Sequence, residues 1–232
     1  MDTSYALLWL EAPLQSWGAS SVFYRRSTLD FPTKSGILGL LLCGMGAIGK
    51  QNYLLENFID LEQSVLSFKK NNRIDENIPL LEDFQMVGSG YDEKNSWESM
   101  LIPKNCKGKK SVGGGSKLTY KYYLQDAVFA VIMEIPNHMK LTVEKALVSP
   151  HYDLYLGRKS CIATDFIFRG IFPSRDVAKK KALAIAEEKD LQVDFEVLDG
   201  IHDGTVMYIK DVPLQFGQTK KYIERQVTLI RN

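Results

Sequence analysis

The stretch that most restricts the fold runs from Ser89 to Lys117. It is polar, carries lysines and is broken by Gly113-Gly114-Gly115. That is too long for an ordinary connection between neighbouring elements. Strand-like residues flank it: Asn77 to Gly88 alternates on one side, and Leu118 to Leu124 resumes on the other, before a strongly apolar strand at Ala127 to Ile135. Any fold for this chain must therefore carry a long excursion between two strands. We read it as a hairpin-like arm with a functional purpose.

The remaining elements fall around that arm. Tyr5 to Ala12 is apolar and aromatic and stops at Pro13, which reads as a strand. Gln15 to Gly18 is a turn, and Ser20 to Arg26 is a short extended segment. Thr33 or Ser35 can cap an apolar helix over Gly36 to Ile48. The glycines of that helix are poor helix formers, and they suit close approach to a sheet or to a ligand backbone. Leu54, Leu55, Phe58, Leu61 and Val65 follow helical spacing, which predicts an amphipathic helix over Tyr53 to Ser67. Helices follow at Leu141 to Val148 and Arg175 to Lys189. Ile162 to Phe172, Leu191 to Leu198, Thr205 to Val212 and Tyr222 to Ile230 read as extended. The first half approximates a β-α-β-β-α-β ferredoxin-like plan with an insertion, and the second is mostly strands.

Charge is segregated. The net charge over 232 residues is only +1. Yet six lysines and no acid lie between Glu98 and Asp126, whereas ten acids face four bases from Glu56 to Glu98. Segregation of this kind creates a local field that the sum conceals. Cys43, Cys106 and Cys161 form no CxxC pair, which argues against a zinc knuckle and suits a reducing compartment. The longest apolar run, Gly36 to Gly49, is short of the roughly 20 residues of a membrane span. With no basic start at the N-terminus, a cytoplasmic protein with no membrane partner is expected.

Catalytic and nucleotide motifs are near-misses. Gly44 to Lys50 matches GxxxxGK, but Gln51 stands where a phosphate loop places Ser or Thr. His138, His151 and His202 lack metal-ligand spacing, so no metal or cofactor is expected. A histidine base for metal-free RNA cleavage stays open, with His138 beside Lys140 and His151 beside Tyr152. Nucleic-acid character is clearer. Trp17 and Phe23-Tyr24-Arg25-Arg26 set rings beside guanidinium groups, as a single strand requires. Gly157-Arg158-Lys159-Ser160 offers amides, base and hydroxyl to a phosphate. The lysines of the arm precede Tyr120, Tyr122 and Tyr123.

Five stretches together resemble a known family. Leu10 to Gly18 (LEAPLQSWG), Phe31 to Leu41 (FPTKSGILGLL), Tyr123 to Ala127 (YLQDA), Pro150 to Cys161, above all YLGRKSC, and Val212 to Phe216 (VPLQF) are similar, in order, to segments of the CasD family of the RAMP superfamily from type I-E CRISPR systems. The resemblance implies an α+β fold: a ferredoxin-like or RRM-like RAMP domain over 1–149, with a protruding β-hairpin thumb at about 89–122, and a smaller strand-rich region over 150–232. It implies a non-catalytic subunit of a Cascade complex that binds the 5′ handle of crRNA and caps the backbone. A Cascade backbone subunit and the large PAM-reading subunit would be its partners, and target DNA would be engaged indirectly through base pairing.

The residues expected to bind RNA are Trp17, Tyr24, Arg25, Arg26, Lys34, Ser35, Lys109, Lys110, Lys117, Lys121, Arg158, Lys159 and Ser160. The arginines and Lys34 would neutralise phosphates, and Ser35 and Ser160 would orient them. Trp17 and Tyr24 would stack bases or support the loop. Two alternatives remain: a metal-independent endoribonuclease processing precursor crRNA, and an adaptor that touches only protein.

Overall fold

Successive residues of the first strand serve two different cores. In Thr3–Glu11 (β1), Ala6, Leu8 and Leu10 enter one apolar cluster, while Leu7 and Trp9 enter another. This is the period-2 alternation of a strand covered on both faces. The computed structural model describes residues 3–18, 24–71, 78–87, 94–100, 104–109 and 117–231. Lys110 and the Gly113–Gly115 run lie outside them, as does most of the extended segment expected at 20–26.

β1 sits near one edge of a seven-stranded sheet. The other strands are Gln63–Lys70 (β4), Val128–Pro136 (β7), Phe168–Phe172 (β8), Leu191–Asp199 (β9), Thr205–Gln215 (β10) and Lys221–Arg231 (β11). Their order is β10-β11-β9-β4-β7-β1-β8, and every neighbouring pair is antiparallel. Strands from both sides of residue 149 thus share one sheet.

Helices cover both faces. Lys34–Gly44 (α1) and Lys140–Val148 (α4) bury Ile37, Leu38, Leu41, Val143 and Leu147 in the cluster that holds Leu8 and Leu10. Arg175–Glu188 (α5) lays Ala178, Ala182 and Ala186 on Leu7, Trp9 and Ile132. Small side chains let α5 lie close to the sheet, where Trp9 stacks on Phe68 with centroids 5.2 Å apart. Thr33 caps α1, its hydroxyl accepting from the Gly36 N–H at 3.1 Å. The helix closes after Gly44, where the N–H groups of Gly46 and Ala47 return to the carbonyls of Cys43 and Leu42.

The amphipathic helix expected over Tyr53 to Ser67 is the main correction. Only Asn52–Leu55 (α2) is helical, followed by a 3-10 turn at Glu56–Phe58, and the chain then becomes β4. Residues 63–68 of β4 are all buried between β7 and β9. A strand covered on both faces loses its alternation, and its apolar spacing can then mimic a helix.

A smaller sheet stands beside the large one. Lys117–Gln125 (β6) pairs with Leu14–Gln15 (β2), runs parallel to Arg25–Arg26 (β3), and forms a seven-residue antiparallel ladder with Leu81–Val87 (β5). Between β5 and β6 the short helix Ser96–Met100 (α3) is described. β6 passes into β7 through Asp126, whose N–H donates to the Pro13 carbonyl at 3.0 Å. Among the described residues no helix is long and apolar enough to cross a membrane.

Candidate nucleic-acid interface

Gln15, Ser16 and Trp17 are polar or amphipathic, yet all three are buried. Burial of such groups demands partners, and each has them. The Gln15 amide donates to the carbonyls of Leu10 and Ala127, at 3.0 and 2.7 Å. The Ser16 hydroxyl donates to the Tyr122 carbonyl, and its N–H to the Leu156 carbonyl. The Trp17 indole N–H donates to Gln15 Oε1 at 3.1 Å, and the Leu29 N–H donates to the Trp17 carbonyl. One tripeptide thereby ties β1, β6, the segment at 28–29 and the loop at 156.

Two glycines make the tie possible. Gly157 has φ +88, and a Cβ there would lie 1.7 Å from the Ser16 carbonyl oxygen. A Cβ at Gly36 would lie 2.7 Å from the Trp17 ring. Four of the five stretches that resemble the CasD family are thus packed on one another. The fifth joins through its neighbours: the Asp211 carboxylate accepts the Lys34 N–H at 2.7 Å, and Asn52 Nδ2 donates to Gln215 at 3.4 Å.

A cleft of about 510 Å³ opens where they meet. Trp17, Ser35 and Gly36 line it with Tyr152, Tyr155 and Gly157, and so do Phe216 and Lys220 of the turn between β10 and β11 and Tyr222 at the start of β11. Among the described residues lining it there is no carboxylate. Cys43 lines it as well. Burial and the Asp153 charge push its thiol pKa up, and the nearby Lys159 ammonium pulls it down.

From the 156–161 turn the surface continues to β3 and β6. Arg158 donates to the carbonyls of Tyr122 and Arg26, at 3.0 and 2.8 Å, and lies 4.5 Å from the Tyr123 ring centroid. Both carbonyls are neutral, so these bonds leave its positive charge in place. Arg25 lies 5.7 Å from the Tyr120 centroid, and exposed Tyr24 and Phe84 also contact that ring. Lys121 follows on β6, its ammonium donating to Gln85 Oε1 at 2.6 Å. The surface is not wholly basic. Glu82 stands opposite Tyr122 in the β5–β6 ladder and pushes that phenol pKa up.

The expected site residues divide accordingly. Tyr24, Arg25, Arg26, Lys121 and Arg158 gather along β3 and β6, with exposed Lys159 and Ser160 in the adjoining turn. Ser35 lines the cleft. Trp17 also borders it, but its side chain is wholly buried, so of its two expected roles it is placed for support of the loop.

Lys34 is a correction. It is 4% exposed, and its ammonium donates to the carbonyls of Ile59 and Leu61, at 2.9 and 2.6 Å. Burial pulls its pKa down, and the group is occupied inside the protein rather than offered to a phosphate. Lys109 lies on an exposed turn whose N–H donates to Asn105, Lys117 opens β6 opposite Val87, and Lys110 lies outside the described residues. Sequence reasoning missed the β10–β11 turn. The signal was there: Phe216, Lys220, Lys221 and Tyr222 repeat the pairing of rings and base used to select the other stretches.

Gly44 to Lys50 follows a helix instead of linking a strand to one. His138 and His151 flank the nine-residue α4, which is about 13 Å long. His151 borders the groove between α1 and α4, not the cleft. Among the described residues no cluster of His, Cys, Asp or Glu could hold a metal.

The fold is a large antiparallel sheet covered by helices on both faces, and rings and cations gather along β3 and β6 beside it. Comparison with known proteins narrows this. A family model described as CRISPR-associated protein (Cas_Cas5) matches residues 5–228. The CRISPR system Cascade subunit CasD of Escherichia coli (strain K12) is 31% identical over 179 residues, covering 76% of this chain and 75% of that protein. A chain from a solved CRISPR RNA-guided surveillance complex superposes with a TM-score of 0.70 at 25% identity, over 98% of this chain and 90% of that one. A crystal structure of a Cas protein shares the fold with a TM-score of 0.60 at 24% identity, over 98% and 94%. The chain belongs to the CRISPR-associated Cas5 family.

Proposed function

We propose that this protein is a non-catalytic, cytoplasmic subunit of a type I Cascade complex that holds the 5′ handle of crRNA. The observation that carries the reading is the convergence of four of the five family-like stretches on one cleft, with Arg25, Arg26, Lys121, Arg158 and Lys159 along the adjoining surface. A flexible polyanion crossing that surface meets several positive side chains and rings on which unstacked bases can lie.

The fold supports the same reading. Taken in chain order, β1, α1, β4, β7, α4 and β8 give β-α-β-β-α-β, and their sheet order β4-β7-β1-β8 is that of a ferredoxin-like unit. We assign the β5–β6 ladder to the base of the thumb. Contact with a Cascade backbone subunit and with the large PAM-reading subunit, and through them with target DNA, belongs to the proposal. So does the division into a region over 1–149 and a smaller one over 150–232.

Purification of the tagged protein from its host, with sequencing of the bound RNA, tests the assignment. Enrichment of CRISPR RNA sharing one 5′ segment is expected, together with the other Cascade subunits. RNA without CRISPR repeats, or none, would overturn it. Incubation of precursor RNA with the protein in EDTA should leave the RNA intact. Cleavage lost on His151→Ala or His138→Ala would make the protein an endoribonuclease.

A further inference from the structure

The turn between β10 and β11 comes from the far edge of the large sheet, yet it forms part of the cleft. It is held there by its base. The Phe216 N–H donates to the Lys50 carbonyl at 2.9 Å, and the Gln215 amide donates to the Thr219 carbonyl at 2.6 Å. Gly217 packs close to the backbone of Gly49. This anchoring sets Phe216 and Tyr222 edge to face, with centroids 6.4 Å apart, and places Lys220 at the cleft. Tyr152 and Tyr155 line the same space. Five rings counting Trp17, one ammonium and no described carboxylate surround about 510 Å³, a volume that takes one small molecule and no helix.

We propose that this turn is a second jaw of the RNA site, the cleft accepting one unstacked nucleotide whose base lies against Tyr155 and Tyr222 and whose phosphate pairs with Lys220. The proposal rests on the RNA-binding function above and adds an element drawn from the C-terminal strands. It accounts for an aromatic lining (Tyr155, Phe216, Tyr222) less exposed than the arginines of β3, with an exposed ammonium at its edge. Those arginines can follow the backbone of the strand, whereas the cleft can enclose a base.

The test uses the full chain and a fluorescein-labelled RNA copied from the 5′ end of the RNA that co-purifies with it. The handle is scanned with single abasic sites, and affinity is measured across a salt series. For the unaltered protein one abasic position should weaken binding about tenfold, the effect of losing one base–aromatic stack. In Tyr222→Leu that position should cost nothing further, because the stack is already lost. Lys220→Gln should lower the salt slope by about 0.7, one phosphate of a single strand. Its side chain is exposed, so this arm decides the matter if Tyr222→Leu does not fold. Unaltered affinity and slope in both variants, with tight binding by the parent, would overturn the second jaw and leave the RNA-binding function standing. Failure of the parent to bind would overturn both.

Discussion

Arg158 and Lys159 are adjacent in sequence and differ in what holds them. Arg158 fastens the 156–161 turn to β3 and β6 through two carbonyls and the Tyr123 face, whereas Lys159 projects from the turn. Arg158→Ala removes two charge-assisted hydrogen bonds and a cation–π contact, so a loss of about 2 kcal/mol in denaturant unfolding is expected. Lys159→Gln should leave unfolding unchanged and lower the RNA salt slope by about 0.7. If Arg158→Ala unfolds like the parent, the fastening role is wrong. At this scale the sequence identified charge but not its use. Lys34 and Lys159 look alike in a chain, and only the burial of Lys34 beneath the carbonyls of Ile59 and Leu61 separates them.

Among elements, the placement of α1 depends on a polar hub at the sheet. Arg225 on β11 pairs with Asp211 through two bonds, at 2.7 and 2.9 Å, and with Asp199, while Asp211 also receives the first N–H of α1. The Asp211 side chain is 1% exposed, so removing its partner would strand a buried carboxylate. Arg225→Met should therefore cost about 3–5 kcal/mol in urea unfolding. A cost under about 1 kcal/mol would mean that the hub is dispensable. The C-terminal end of α5 is held differently. Lys189 bridges Glu11 and Asp165, and Arg169 also pairs with Asp165. Burial alone would raise the Asp165 pKa, but hydrogen bonds from Lys189 and the Phe166 N–H, with the Arg169 charge, bring it below the usual range. The folded chain then holds fewer protons on this group than the unfolded chain does. Its stabilisation is complete above the ordinary carboxylate value of about 3.9 and is lost as pH falls below it. Asp165→Asn should flatten the acid limb of a urea-midpoint profile, and an unchanged limb would remove this group from the acid response.

For the molecule as a whole, the sheet determines cooperativity. Phe195, Val197, Ile209 and Val227 from the C-terminal strands share one apolar cluster with Leu8, Ile37 and Val131. Strands that share a core lose it together. Calorimetry should show one transition, and a fragment ending at residue 149 should not fold alone. Two resolved transitions would instead mark the regions on either side of residue 149 as independent domains.

The sequence alone determined the strands that alternate or lie beside clear breakers, the capped helices, and the five stretches by which the chain resembles its family. All of these are local patterns, written in consecutive residues. Tertiary structure decided that Gln63 to Lys70 is a strand, because neighbours on both sides erase the alternation that would reveal it. It also decided that Lys34 is interior and that the turn at 216–222 borders the cleft. Burial and convergence are relations between distant segments, and the energy of placing a charge depends on what surrounds it in space rather than in sequence.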